Sequence, residues 1–270
     1  MIKLVFWMLS FLSISSFAQE NFKVYYEEGE NGYQIYADNG EFSPVSVEIS
    51  FKIENLTSSI GEVKIVKVPS QTAKFHIANL AVVDRKKEAR LGLRMRYNHG
   101  DHLQTTYDTD YEYHLPFKKG ASYIVTQGYN GTVSHQNENA LDFRMPVGTA
   151  IHAAREGVVV LVEESFNKTC TGGDCVKFNN YILVYHKDGT FAEYTHIKKD
   201  GSIVMPGDQI EKGQHIGYSG NVGWSTGPHL HFIVFLQRFK TRETLATKFR
   251  VGSKKEIIEL QEKMEYTKEY

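Results

Sequence analysis

Hydrophobic and polar positions alternate with the period of β-strands along most of this chain. Val45, Val47, Ile49 and Phe51 fall on one side of an extended run, and Ser46, Glu48 and Ser50 on the other. That two-residue period marks a strand with one buried face. Comparable runs rich in β-branched and aromatic residues cover residues 22–26, 33–36, 63–68, 75–82 and 91–97, with 45–53 among them. Polar turns such as Glu28-Gly29-Glu30-Asn31-Gly32 separate them. Short strands at fairly regular spacing predict an immunoglobulin-like sandwich over residues 19–115.

The stretch 107–120, with Asp108, Asp110 and Glu112 ahead of Leu115-Pro116-Phe117, reads as a connector. A second set of strands follows at 158–162, 181–186, 190–194, 209–210, 215–218 and 230–235, parted by glycine-bearing turns such as Lys187-Asp188-Gly189 and Pro206-Gly207-Asp208. Helix-period runs are absent, so residues 116–240 are expected to form an antiparallel β domain and the chain to be all-β. Residues 241–270 form a charged C-terminal extension. Ile257, Leu260 and Met264 would share one face of a short helix there, and a terminal strand or docked loop fits as well.

The first residues change the picture of where the protein works. Lys3 precedes the apolar run 4–12, and Ser16-Phe17-Ala18 supplies small residues where a signal peptidase cuts. Residues 1–18 therefore read as a secretory signal, and the mature protein as exported, periplasmic or extracellular. No later stretch is apolar enough to span a bilayer. Composition is that of an ordinary soluble protein, 41% hydrophobic and 23% charged. A net charge of -1 gives no electrostatic case for binding nucleic acid. Cys170 and Cys175 flank Thr171-Gly172-Gly173-Asp174 in a polar loop. An even pair in an exported chain favours a disulfide; a zinc site would need further ligands at regular spacing.

Chemistry concentrates in Ser225-Thr226-Gly227-Pro228-His229-Leu230-His231-Phe232. Residues two apart in a strand share a face, about 7 Å apart, so His229 and His231 can serve one metal-centred site. Upstream, His135 and Asp142 precede Pro146-Val147-Gly148-Thr149, and His196 ends a strand at Tyr194-Thr195-His196. One imidazole of the pair, His135 and the Asp142 carboxylate make three ligands and leave a tetrahedral position for water, as in a catalytic zinc site. Alternation alone permits either His229 or His231, and Glu138 is a possible competitor of Asp142.

From about residue 123 to 235 the chain resembles the catalytic domain of lysostaphin/LytM-type zinc metallopeptidases, the bacterial peptidoglycan endopeptidases. The matching pieces are His135 and Asp142, Pro146-Val147-Gly148-Thr149, Ala153-Ala154-Arg155-Glu156-Gly157-Val158-Val159, Tyr194-Thr195-His196, Gly217-Tyr218-Ser219-Gly220-Asn221-Val222-Gly223 and Gly227-Pro228-His229-Leu230-His231-Phe232. The resemblance implies one zinc ion per chain held by His135, Asp142 and His231, with His196 and His229 as catalytic histidines that do not bind it. It implies peptide crosslinks or stem peptides of peptidoglycan as substrate. The family's first motif has three residues between His and Asp; residues 136–141 intervene here, which predicts a longer loop before the strand carrying Asp142. A non-catalytic relative that binds cell wall or activates another hydrolase, and an exported protease acting on proteins, are the rival readings; the complete ligand set favours an enzyme. His76, His99, His102, His152, His186 and His215 read as ordinary strand or loop residues, and Tyr194 as a packing residue. Gly220, Gly223 and Gly227 read as backbone requirements of a tight loop.

Overall fold

The structure is a computed structural model that describes residues 21–253 and 256–270, so the expected signal segment lies outside it. Strands β1 (Phe22–Gly29), β2 (Gly32–Asn39), β3 (Val45–Glu54), β4 (Leu56–Ser58), β5 (Val63–Val68), β6 (Thr72–Val82) and β7 (Arg90–His99) build the N-terminal half. They form two sheets, ordered β1-β2-β6-β4 and β5-β3-β7. The inward side chains of β3, Val45, Val47, Ile49 and Phe51, meet Ile35 and Ala37 of β2 and Ile77, Ala78 and Leu80 of β6 in one core. The result is a two-sheet sandwich. An immunoglobulin constant-type domain numbered in chain order would read 1-2-5-4 and 3-6-7, so the strand order here is a different one. Ser46, on the polar side of the β3 pattern, is nevertheless buried. Its hydroxyl donates to Gly100 O at 2.8 Å and accepts the His102 N–H at 3.0 Å, because the chain leaving β7 folds back over that face.

The second half centres on one antiparallel sheet. Gln209–Ile210, Gly157–Glu163, Tyr181–Tyr185, Phe191–Thr195, Leu230–Gln237, Ala140–Phe143, Ser122–Gln127 and Glu265–Thr267 lie side by side, and Arg242–Thr244 adds to the Leu230–Gln237 strand. One face packs Leu230, Phe232, Val234 and Leu236 against Tyr194, Phe143, Phe117 and Phe249. On the other face Ile233 and Phe235 join Ala140, Leu183 and Phe191 in a smaller cluster. Covered on both sides, the Leu230–Gln237 strand reads as a nearly unbroken apolar run, and the polar His231 stands out within it.

One expectation about chain organisation changes, and one that stood open between helix and strand is decided. The connector is largely core: Tyr113, Leu115 and Phe117 are buried in the second half, and Glu112–Tyr113 pairs in parallel with Lys248–Val251. The tail is extended rather than helical. Lys248–Val251 pairs with Glu256–Ile258, and Glu265–Thr267 completes the large sheet against Ser122–Gln127. Leu260 is buried while Met264 is exposed, so they do not share one packed face. The helix among the described residues is the short 3-10 helix Gly173–Phe178, and no described helix is long and apolar enough to cross a membrane.

Candidate metal centre

Backbone register brings the centre together. Asp142 of the Ala140–Phe143 strand lies directly opposite His231 of the Leu230–Gln237 strand, and His231 lies opposite Thr195. Leu141, Phe143, Leu230 and Phe232 point into the main core, so the two-residue period turns Asp142 and His231 to the other face. His135 arrives from a loop. The Glu138 N–H closes a turn on His135 O at 2.9 Å, and Asn137 sits at φ +62. That turn takes up the longer spacing between His135 and Asp142 and places the imidazole beneath the carboxylate.

His135 Nε2 and His231 Nδ1 lie 3.2 and 3.0 Å from Asp142 Oδ1. Together the three residues are the group found among the described residues that could hold a metal ion, with their candidate ligand atoms within 4.8 Å of one another. Ligand bonds of about 2.0–2.1 Å in a tetrahedron put neighbouring ligand atoms about 3.3–3.4 Å apart, close to the two distances seen. Two of the three are oriented from behind. His135 Nδ1 donates to Gly128 O at 3.0 Å, which turns Nε2 towards Asp142; that Nε2 is buried and has no hydrogen-bond partner. Gln127 Nε2 donates to Asp142 Oδ2 at 3.0 Å and leaves Oδ1 for the centre. An orphaned imidazole nitrogen facing a buried carboxylate oxygen is an arrangement that a cation satisfies.

Electrostatics agree. Burial would push the Asp142 carboxyl up, but His135 and His231 beside it hold it well below the usual carboxylate range, so it is an anion. Burial would likewise lower the His135 ring, yet the Asp142 carboxylate raises it above its ordinary value. A proton or a metal ion can meet that demand, so metal binding should release protons.

His196 and His229 stand beside the cluster. Their ring centroids are 4.5 Å apart, and the His196 ring is 6.0 Å from His231. Nδ1 of His196 donates to Val222 O at 2.7 Å, and Nδ1 of His229 to Gly227 O at 2.7 Å. A carbonyl only accepts, so in the neutral rings both Nε2 atoms carry lone pairs; that of His229 is 3.7 Å from Asp142 Oδ1. Burial, then the neighbouring His229 and His231, bring the His196 ring down to about 3. His196 has φ +69, a left-handed conformation that costs a non-glycine residue on the order of 1–3 kcal/mol. His135 is enclosed, while the His229 and His231 side chains are 16% and 18% exposed. The centre thus opens to solvent on the side of the paired histidines.

The remaining candidates fall elsewhere. Glu138 is exposed and contributes only backbone to the turn. His76 bonds to Asn79, His99 to Ser43 and buried His186 to Glu156 O. His102 packs on Phe239, and His152 stacks on His215. Tyr194 packs in the core and also accepts the Ala154 N–H at 2.8 Å through its hydroxyl. A Cβ on Gly220 would lie 2.5 Å from Lys198 N, and one on Gly223, at φ +85, 2.0 Å from Asn179 Oδ1. Gly227 has open space and no such need. Cys170 and Cys175 form a disulfide.

Gln127 is the supporting residue that the sequence hides. In phase with buried Val125, it looks like a core position. A register shift between Asp142 and Phe143 pairs Gln127 with Asp142 and Val125 with Phe143, and this bulge turns the Gln127 side chain to the metal face.

Comparison with known proteins adds an independent line. The model for Peptidase family M23 matches residues 136–242, which include Asp142, His196, His229 and His231 and begin one residue past His135. An uncharacterized metalloprotease of Buchnera aphidicola subsp. Baizongia pistaciae is 35% identical over 147 residues, 50% of this chain and 35% of that protein. Peptidoglycan DD-endopeptidase ShyA of Vibrio cholerae is 37% identical over 94 residues, 35% of this chain and 19% of the relative. Glycyl-glycine endopeptidase ALE-1 of Staphylococcus capitis is 37% identical over 118 residues, 43% and 28% respectively. The chain therefore spans about a third or less of these relatives' lengths. The catalytic domain of lysostaphin from Staphylococcus simulans aligns with 47% of this chain and 88% of its own, at 30% identity and a TM-score of 0.33.

Proposed function

We propose, from the premise that this chain carries a peptidase family M23 domain, that it is an exported zinc metalloendopeptidase hydrolysing peptide bonds in peptidoglycan crosslinks or stem peptides. The observation that carries the reading is the convergence of His135 Nε2 and His231 Nδ1 on Asp142 Oδ1 at 3.2 and 3.0 Å, with His135 Nε2 otherwise unpaired. Two nitrogens and one carboxylate oxygen are a donor set that suits zinc. We assign His135, Asp142 and His231 as its ligands. When bound, the ion would lower the pKa of water to about 7 and polarise the scissile carbonyl.

The chain's own groups handle the proton and the developing charge. His196 and His229 present Nε2 lone pairs beside the ligand cluster, so one accepts the proton of the attacking water and returns it to the departing amine. Once protonated, the same nitrogen donates to the oxyanion. The Val222 and Gly227 carbonyls keep each ring in register through its Nδ1 proton. We assign the N-terminal sandwich, its strands running over residues 22–99, to placing or shielding the site, since it contributes no ligand.

The printed activities of ShyA and ALE-1 support a peptidoglycan substrate. The apolar run at residues 4–12 and the disulfide support export to an oxidising compartment. Solubilisation of dye-labelled sacculi by the purified protein tests the reading. Activity should disappear on chelation and return with about one equivalent of zinc per chain. Activity that survives complete metal removal would refute it.

A further inference from the structure

Between the paired strands Gly157–Glu163 and Tyr181–Tyr185 the chain leaves the sheet over residues 164–180. Of these residues only Cys175 and Asn180 are buried, so the excursion has no apolar core of its own. It is cross-linked by Cys170–Cys175. Thr169–Cys170 lies in parallel against Gly223–Trp224. The ladder is extended by Gly223 N–H to Lys168 O at 2.7 Å and Ser225 N–H to Cys170 O at 3.1 Å. Trp224 adds two bonds, Nε1 to Thr171 O and backbone N–H to Asn179 Oδ1, both 2.9 Å.

The partner segment is the loop 221–227, and that loop holds the two histidines. Val222 O takes the His196 Nδ1 proton and Gly227 O that of His229. Buried Ser225 donates its hydroxyl to Gly227 O at 2.8 Å and lies 3.3 Å from His229 Nδ1. The excursion also grips the His196 turn directly. Asn180 O accepts the His196 N–H at 2.8 Å, and Asn180 Nδ2 donates to Ile197 O at 3.3 Å and Phe166 O at 2.9 Å. His196 sits there at φ +69, a conformation held only by its surroundings. The ligands are supported differently, by Gly128 O behind His135 and Gln127 behind Asp142.

We propose that the Cys170–Cys175 disulfide is a positioning element for the reaction, fixing the 164–180 excursion so that its contacts hold His196 and His229 in their working orientation. This rests on the endopeptidase reading and deepens it: the cross-link controls turnover and leaves metal binding alone. A displacement of about 1 Å in such a group costs up to roughly 100-fold in rate.

The test uses the full-length protein in two forms, oxidised and reduced, with the variant Cys170→Ser/Cys175→Ser beside them. Dithiothreitol transfers two electrons and two protons, the S–S bond becomes two thiols, and the reagent closes to its cyclic disulfide. On a soluble cross-linked muropeptide, kcat should fall about 10–100-fold in the reduced protein and the variant, with KM within about twofold and metal content unchanged. Reoxidation should restore kcat in the wild type. The ring resonances of His196 and His229 should shift or broaden on reduction while those of His135 stay, a readout that needs no turnover. If the double variant fails to fold, the reduced wild type carries the test. Unchanged kcat and unchanged ring resonances after complete reduction would overturn the proposal, as would joint loss of metal and activity. An oxidised wild type that turns over no muropeptide refutes the endopeptidase reading instead, and the resonances then decide the positioning claim alone.

Discussion

Replacing Gln127 by methionine keeps the side chain's length and removes its hydrogen bonds. Four contacts disappear: the Nε2 donations to Asp142 Oδ2 at 3.0 Å and to Ser134 Oγ at 2.7 Å, and acceptance by Oε1 of the Val133 and Ser134 N–H groups at 3.0 and 2.9 Å. The first matters most, because Asp142 is buried and anionic. A bond to a charged group contributes about 1.5–3 kcal/mol. Val133 is 82% exposed and its neighbour Ser134 is partly exposed, so water can replace their lost partners cheaply. The metal-free protein should therefore lose about 2–3 kcal/mol of stability. Freed from its outer partner, Asp142 can rotate, and losing such a contact behind a ligand costs about 10–100-fold in metal affinity. That is about 1.4–2.8 kcal/mol. Competition against a chromophoric chelator measures the affinity, and urea unfolding of the metal-free protein measures the stability. A folded Gln127→Met protein that binds zinc as tightly as wild type would refute the claim that Gln127 holds Asp142 in place.

His196→Ala and His229→Ala should each keep metal and fold while losing about 10²–10³ in turnover, the effect of removing one transition-state donor; near-normal activity in either removes that histidine from the mechanism. His231→Ala should lose the metal, and retention there with loss in His229→Ala would reverse the pair. Burial lowers the His186 ring to about 4. The unfolded chain therefore binds more protons than the folded one between that value and about 6.5, so stability present above pH ~6.5 is lost as pH falls towards 4. His186→Gln should shrink that acid loss by about 3 kcal/mol, read as urea unfolding at two pH values; an unchanged pH slope contradicts it. Phe249→Ala should destabilise the fold by about 3–5 kcal/mol, since Phe249 is fully buried in the main core; a loss below about 1 kcal/mol would mean that the C-terminal extension packs only loosely.

Where one face was buried, the pattern was legible. The strand 63–68 has the bounds read from its β-branched run, and Val45, Val47 and Ile49 point inward as their alternation requires. The shared side of His229 and His231 likewise follows from strand period alone, and both rings lie beside Asp142 Oδ1. Choosing His231 over His229 as the Asp142 partner did not follow, since both lie at allowed positions; a register in which His231 pairs with Asp142 supports the choice. Gln127 was hidden because a bulge breaks the period that would have placed it in the core. The buried Ser46 and the core role of Tyr113, Leu115 and Phe117 depend on how distant segments fold back, which no local pattern encodes. The tail's apolar spacing left helix and strand both open, and the edges of the sheet took it as strands.

The most direct measurement is mass spectrometry of the fragments released from purified sacculi by the zinc-loaded protein. The account predicts fragments with newly exposed amino and carboxyl ends within crosslinks or stem peptides and with intact glycan, absent when Asp142→Ala replaces wild type. Fragments cut in the glycan, or the same peptide fragments from Asp142→Ala, would contradict it.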